Sequence, residues 1–306
     1  MPTRTGQFAP LITPLLRKVL VDVGKERPTE YDKFMNVRDM KWAVETERQI
    51  AGLGSMPAKA EGDSFVMDDP ILGGTKVYTA VAYGLGVEIT REMWLDDLYG
   101  PIRGIGKELA KASRNRMEVD AHAPINNMNS TAALNVGFTA GEALIADGTA
   151  ANGHLGLDGN LRRNRPTVDV AFGVAGLQDG IEQLEGATNE RNRPMMLKAK
   201  TALVSQQNRW SAREILGSTG RPYTGNNEIN ALVEDDLTWM VDHSLTDLDF
   251  WVLLSDKSEH DLNFLVKDQP VLNTFDYPMN GNVIVTIWQR HVSGHGSWRG
   301  VFGSTG

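Results

Sequence analysis

PIRGIGKELAKASRNRMEVDAHAP, residues 101–124, is the stretch on which the reading of this chain turns. Ile102, Ile105, Leu109, Ala112, Arg116, Val119 and Ala123 follow one another at spacings of three and four, and all but Arg116 are apolar. Residues so spaced share one face of an α-helix, which predicts a long helix over 101–123. Pro101 suits its first position, where no N–H is needed, and Pro124 is expected to end it. At about 1.5 Å per residue the helix spans roughly 34 Å, comparable to the width of a domain. Arg103, Lys107, Glu108, Lys111, Arg114 and Glu118 fill the other faces and read as a solvated surface.

Upstream, Thr90 reads as the N-cap of a short helix to about Tyr99, closed by Gly100. Before it, Gly52-Leu53-Gly54-Ser55-Met56-Pro57 leads through an acidic stretch to Asp63, then Asp68-Asp69-Pro70 and Gly73-Gly74. Val77, Tyr78, Thr79, Val81 and Tyr83 follow, so 52–85 reads as a two-stranded ribbon that leaves the body and returns. Such a ribbon is marginal alone in water and requires a partner surface. The first 50 residues read as an arm with local structure and no core of its own. Downstream, 125–168 is loop-like with one or two short strands, and Val174, Leu177, Ile181 and Leu184 mark a helix ending at Gly186. Strands are expected within 195–205, 232–241 and 250–254, a short helix over 208–216, and a polar loop over 220–227. A final long strand at 283–288 is apolar on both faces, which predicts cover on both.

The composition narrows function by exclusion. The chain has 306 residues, a net charge of -8 and 31 glycines, with no cysteine. Disulfides, thiolate metal sites and cysteine nucleophiles are therefore impossible, and the acidic balance argues against a main task of neutralising nucleic-acid phosphates. No stretch approaches the roughly 20 apolar residues of a membrane span, and the N-terminus lacks an unbroken apolar core for a secretory signal. Gly52-Leu53-Gly54 lacks the third glycine of a dinucleotide turn, and neither a phosphate-cradling loop nor a nucleophile elbow occurs. His291 and His295 sit beside Gly294 and Gly296, which favours a turn over a metal-binding helix face. His122, His154, His243 and His260 read as surface or capping residues. The pairs Asp68-Asp69, Asp96-Asp97 and Asp235-Asp236 are adjacent and so point in different directions, and Asp247 and Asp249 read as a turn. No enzyme, cofactor or metal is indicated.

With chemistry set aside, an architecture remains: an arm, a ribbon, one very long helix and a mixed α/β module. The run Tyr83-Gly84-Leu85-Gly86-Val87-Glu88-Ile89-Thr90-Arg91-Glu92, with Asp96-Asp97 and the helix from Pro101, resembles the entry to the spine helix of tailed-phage major capsid proteins. Lys200-Thr201-Ala202-Leu203-Val204, Ala212-Arg213-Glu214-Ile215-Leu216 and Asn226-Asn227-Glu228-Ile229-Asn230 resemble the middle of Mu-like major head subunits, as does the ending Ser297-Trp298-Arg299-Gly300-Val301-Phe302-Gly303-Ser304. The resemblance runs in order over most of the chain.

It implies an α+β fold of the Hong Kong 97 type: an N-terminal arm (1–50), an extended E-loop (51–85), a peripheral domain (86–170 and 276–306) with the spine helix at about 101–123, and an axial domain (171–275). The implied role is a virion shell subunit that forms pentamers and hexamers around double-stranded DNA, assembled in the cytoplasm of a bacterial host. Scaffold, portal and decoration proteins are implied partners; the DNA is touched only weakly, and no membrane is involved. An arm beginning at Met1 is too short for a cleaved scaffolding segment. The resemblance further implies assembly contacts along the E-loop, at Lys59, Glu61, Asp63, Asp68, Asp69 and Lys76, and at the capsomer axis, at Arg221, Tyr223, Asn226 and Asn227. Nothing marks an isopeptide acceptor. The alternatives are an encapsulin-type compartment shell and a soluble α/β enzyme.

Overall fold

The computed structural model describes residues 22–23, 28–92, 101–132, 137–139, 141–156, 158–218, 220, 230–233, 237–276 and 281–305. Among the described residues four strands precede the long helix: β1 (Asn36–Asp39), β2 (Val44–Ala51), β3 (Ile71–Thr79) and β4 (Val81–Ile89). The helix, α1, spans Pro101–Asn126. A short pair, β5 (His154–Leu155) and β6 (Leu161–Arg162), leads to α2 (Val174–Glu185), β7 (Thr201–Val204) and α3 (Arg209–Gly217). The chain ends in β8 (Thr238–Val241), β9 (Trp251–Leu254), β10 (Leu262–Asp276), β11 (Val283–His295) and β12 (Val301–Ser304).

Two four-stranded sheets organise these elements, in the orders β1-β10-β11-β4 and β12-β9-β7-β8. The first is built on the long β10–β11 hairpin, paired from Leu262↔His295 to Asp276↔Val283, with β4 on its far side and β1 parallel to β10. Its register slips on either side of Asp268. Pro270, which has no N–H to give the ladder, lies in the second slip. The strand at 262–276 is absent from the sequence reading, and it belongs to the helix-bearing sheet although that reading carries the second module to residue 275. Conversely, β12 at the C-terminus forms an edge of the second sheet.

Alternation explains why Trp251-Val252-Leu253-Leu254 is buried throughout. Val252 and Leu254 share a core with Met117, Ala121 and Ile125 of α1 and with Leu262, Phe264 and Val266 of β10. Trp251 and Leu253 face the other way, into a core with Leu177 and Leu184 of α2 and Ala212, Ile215 and Leu216 of α3. Gly180 lets α2 approach this sheet, since a Cβ there would lie 2.7 Å from the Leu253 side chain.

Several expectations change. β3 and β4 are consecutive but do not pair with each other: β3 pairs with β2, from Val44↔Thr79 to Ala51↔Ile71, and β4 pairs with β11. The ribbon's strands are thus 44–51 and 71–79. Thr79-Ala80-Val81 contains no turn former, so the chain runs on from ribbon to sheet. The end of the arm also has a core role, with Tyr31, Phe34 and Met35 buried among the main core residues. On α1 the buried face runs through Leu109, Ala110, Ser113, Met117, Ala121, His122 and Ile125, while Ala112, Arg116 and Val119 are exposed. Ser113 and His122 can lie inside because each is hydrogen-bonded there; Ser113 Oγ donates to Gln289 Oε1 at 2.5 Å. Pro124 does not end the helix: Asn127 N–H still reaches the Ala123 carbonyl at 3.1 Å. The expected helix at 90–99 and the loop at 221–227 lie largely outside the described residues, as do Asp96, Asp97, Asp235 and Asp236.

Candidate assembly surfaces

The root of the ribbon is a buried junction. On β3, Lys76 and Tyr78 point inward while Thr75, Val77 and Thr79 point out, the period of two that a strand imposes. Tyr78 packs with Met40 and Leu265, and its hydroxyl accepts a hydrogen bond from Asn263 Nδ2 at 3.3 Å. Burial pushes the Tyr78 phenol well up and the Lys76 ammonium down. Nearby, Glu190 Oε1 accepts from Gln49 Nε2 of β2 and from Arg299 Nη1, both at 2.7 Å. Glu190 and Arg299 are both buried. Ribbon, post-α2 loop and the turn between β11 and β12 are therefore tied by one carboxylate. Gly74 sits so close to the Phe138 carbonyl that a Cβ there would overlap it, at 1.9 Å.

Farther out, the connection from 52 to 70 is exposed along almost its whole length. Met56 is 94% exposed, Phe65 79% and Met67 90%, with Leu53 and Val66 also open to solvent. A fixed point lies at Arg191, in the turn after α2. Its Nη1 meets both carboxylate oxygens of Asp68 at 2.9 and 3.0 Å, and its Nη2 donates to the Asp69 carbonyl at 2.6 Å. Gly54 N–H also donates to Asp68. The Gly54 hydrogen bond and the Arg191 guanidinium hold the Asp68 carboxyl below the usual carboxylate range.

A second open surface is the side of the first sheet away from α1. Val285, Ile287, Gln289 and His291 of β11 are buried, whereas Trp288, between them, is exposed. Trp288 has Val271 and Gly84 as its cross-strand partners, and Ile284 has Phe275 and Glu88. Val271 and Phe275 are exposed too. Two-sided cover, expected for 283–288, is thus supplied on one side only among the described residues.

Of the sequence candidates, Lys59, Glu61 and Asp63 are exposed on the ribbon's outer connection, with the Lys59 ammonium 5.3 Å from the Phe65 ring centre. Asp68 and Asp69 come together on Arg191. Lys76 is a correction: only 7% exposed, it packs into the ribbon's root instead of reaching out toward a neighbouring molecule. Arg221, Tyr223, Asn226 and Asn227 lie outside the described residues. Sequence reasoning missed Arg191, Glu190 and Arg299, which no local pattern marks, and the tip side chains, which the run Phe65-Val66-Met67 did advertise.

The histidines are a further correction. His122, His154, His260, His291 and His295 are all buried, and only His243 is exposed. His122 pairs with Asp242, His291 pairs with Asp120 at 2.8 Å, and His154 stacks on Trp298. Burial holds the His260 and His295 pKa values down, at about 4 and about 3. His291 and His295 lie on one strand four residues apart, so about 13 Å separates them and they cannot share an ion. Among the described residues no group of three potential ligands could hold a metal, and no helix is long and apolar enough to cross a membrane. Asp249 N–H donates to Asp247 Oδ1 at 3.1 Å, the expected turn.

With this geometry the comparisons agree. A family model described as phage capsid protein matches residues 73–303. No curated protein sequence matches the chain. Among solved structures it is similar to a chain of Mycobacterium phage Adephagia, at 11% identity over 91% of this chain and 90% of that one, with a TM-score of 0.57. It is similar to the mature capsid of bacteriophage PhiM1 at 10% identity, 90% and 86% coverage and a TM-score of 0.58. It is also similar to a virus-like particle from Pyrococcus furiosus at 10% identity, 95% and 98% coverage and a TM-score of 0.54. At such identities the likeness is one of fold.

Proposed function

Because this chain belongs to the phage capsid protein family, with the Hong Kong 97-type fold and a structural rather than catalytic task, we propose that it is the major head subunit of a tailed bacteriophage, closest to the Mu-like head subunits. It assembles in the bacterial host cytoplasm into pentamers and hexamers of an icosahedral shell around double-stranded DNA. The ribbon of β2 and β3 is assigned as the E-loop, the first sheet with α1 as the peripheral domain, and the second sheet with α2 and α3 as the axial domain.

The observation that carries this reading is the apolar, solvent-exposed connection at 52–70, held by Arg191 at an ordered root. Exposed Met56, Phe65 and Met67 have no reason to project from a monomer, and their burial against another subunit is favourable. The uncovered face around Trp288, Val271 and Phe275 is a second such surface on the same chain. Two different patches on one molecule suit a head-to-tail contact, which gives a ring when its rotation closes. Scaffold, portal and decoration proteins are the further partners, and an acidic chain suits a wall that holds DNA without gripping it.

Negative-stain microscopy of the expressed protein tests the reading. Regular shells are expected, and deletion of residues 58–68 should leave a folded subunit that makes none. Unchanged particles from the deletion, or a wild-type protein that stays monomeric with phage partner proteins present, would overturn it. Shells that enclose protein cargo instead of DNA would favour the compartment reading, which the likeness to the Pyrococcus furiosus particle keeps in view.

A further inference from the structure

We propose that His122 is a proton-dependent latch between the long helix and the second sheet: an imidazolium that holds the two together while charged and loosens the joint when it loses its proton.

The geometry around the ring is restrictive. Nδ1 lies 2.7 Å from the Glu118 carbonyl oxygen, one turn back on α1, and Nε2 lies 2.7 Å from Asp242 Oδ2, just beyond β8. A carbonyl oxygen can only accept. The other oxygen of Asp242 accepts the Ser244 N–H at 2.8 Å. Opposite a carboxylate, a neutral imidazole has one N–H and would set a lone pair against one of these oxygens, whereas an imidazolium satisfies both. The side chains of His122 and Asp242 are 0% exposed, so water does not stand in for the missing donor. An unmatched buried acceptor is costly, whereas a charge-assisted pair is strong.

The latch sits where three parts of the chain meet. One turn along α1, Asn126 Nδ2 donates to the Ser244 carbonyl at 2.9 Å and Asn126 Oδ1 accepts Thr246 N–H at 3.2 Å, so the same end of the helix grips the whole 242–246 loop. From the N-terminal side, Glu30 N–H donates to Glu118 Oε1 at 2.9 Å, and the Glu30 carboxylate meets His243 Nδ1 at 2.8 Å. The Phe34 and His122 rings meet in an edge-type arrangement at a centroid distance of 5.2 Å. The titratable groups facing the site are thus Glu118 on α1, Asp242 and His243 after β8, and Glu30 and Tyr31 before β1, with Asp32 and Arg114 acting on Tyr31 at longer range. Glu118 Oε2 lies 3.7 Å from His122 Nδ1 and is buried without a hydrogen bond. A positive ring nearby favours that arrangement.

Burial alone would lower the His122 pKa, but the hydrogen bond to Asp242 and its charge, with Glu118 behind, outweigh it and hold the value above the ordinary one. Burial raises the Glu118 carboxyl. A raised imidazole pKa gives a contribution that is complete below about pH 6.5, the unfolded value, and is lost as pH rises through the folded value. The joint therefore weakens on the alkaline side.

The test uses the full chain as a free subunit, so its outcome is separate from that of the shell reading. In protein labelled with 15N-histidine, one imidazolium carrying both ring N–H protons is expected at pH 7, and Asp242→Asn should remove it. A wild-type spectrum at pH 7 without such a buried imidazolium overturns the proposal, whether or not the variant folds. Between the two pKa values the wild-type folding constant should fall by up to about tenfold per pH unit, and hydrogen exchange should rise first at residues 238–246. The His122→Gln variant should lack this pH slope; a slope equal to the wild type's overturns the latch.

Discussion

The sharpest consequence of the proposed assembly concerns Phe65 and Met67. Both side chains stand in water in the subunit, at 79% and 90% exposure, so changing both to Ser removes almost no intrachain packing. The double change does remove the stacking of the Lys59 ammonium over the Phe65 ring, a surface interaction of about 0.5–1 kcal/mol. Thermal unfolding of the double variant should therefore match the wild type to within about 1 kcal/mol. In the proposed shell the two side chains would be covered by a neighbour, and full burial of a Phe or Met is worth about 1.5–3 kcal/mol each. Each ribbon docking is then weakened by about 3–6 kcal/mol, which at 1.4 kcal/mol per decade is roughly 10²- to 10⁴-fold in its association constant. Light scattering against protein concentration reads this as an assembly threshold moved sharply upward, with microscopy confirming fewer or no particles. A folded double variant that assembles at the wild-type concentration would refute the reasoning, because those side chains would then remain in water in the shell.

The face of α1 can be tested by contrast. Leu109→Asp places a charge in the core with Ile89, Leu272 and Val285, at a cost of several kcal/mol, and should give insoluble or unfolded protein. Ala112→Asp, on the exposed side, should stay within about 0.5 kcal/mol in urea unfolding. Glu190→Ala leaves buried Arg299 without its carboxylate and should destabilise by about 3–5 kcal/mol in the same measurement. Asn164 accepts from Ala146 N–H and donates to the Leu144 and Val301 carbonyls at 2.8–3.0 Å. Asn164→Ala orphans those groups, each worth about 1–3 kcal/mol, and should lower the urea midpoint at unchanged m-value.

What was legible in the sequence was what local periodicity and punctuation encode. The helices at 174–185 and 209–217 and the strand at 251–254 appear where their spacing and glycines put them. The long helix was also legible, yet its buried side was not. Ala112 and Val119 look like core residues by hydropathy, whereas Ser113 and His122 take that place because Gln289 and Asp242, far along the chain, complete their hydrogen bonds. The same limit hid the histidines. A lone imidazole carries no local sign of burial; its environment is made by residues 120 to 171 positions away, as for His122 and His291.

The sequence by itself determined the absence of thiol chemistry, the missing catalytic motifs, the dominant helix and the need for a partner surface, all properties of residue type and short-range order. Only the tertiary structure decided that β2 rather than β4 pairs with β3, that the last strand returns to the second sheet, and that Arg191, Glu190 and His122 tie the joints. Strand partners and buried charge pairs depend on which distant segments meet, and the free energy of that meeting belongs to the pairing and to neither segment alone.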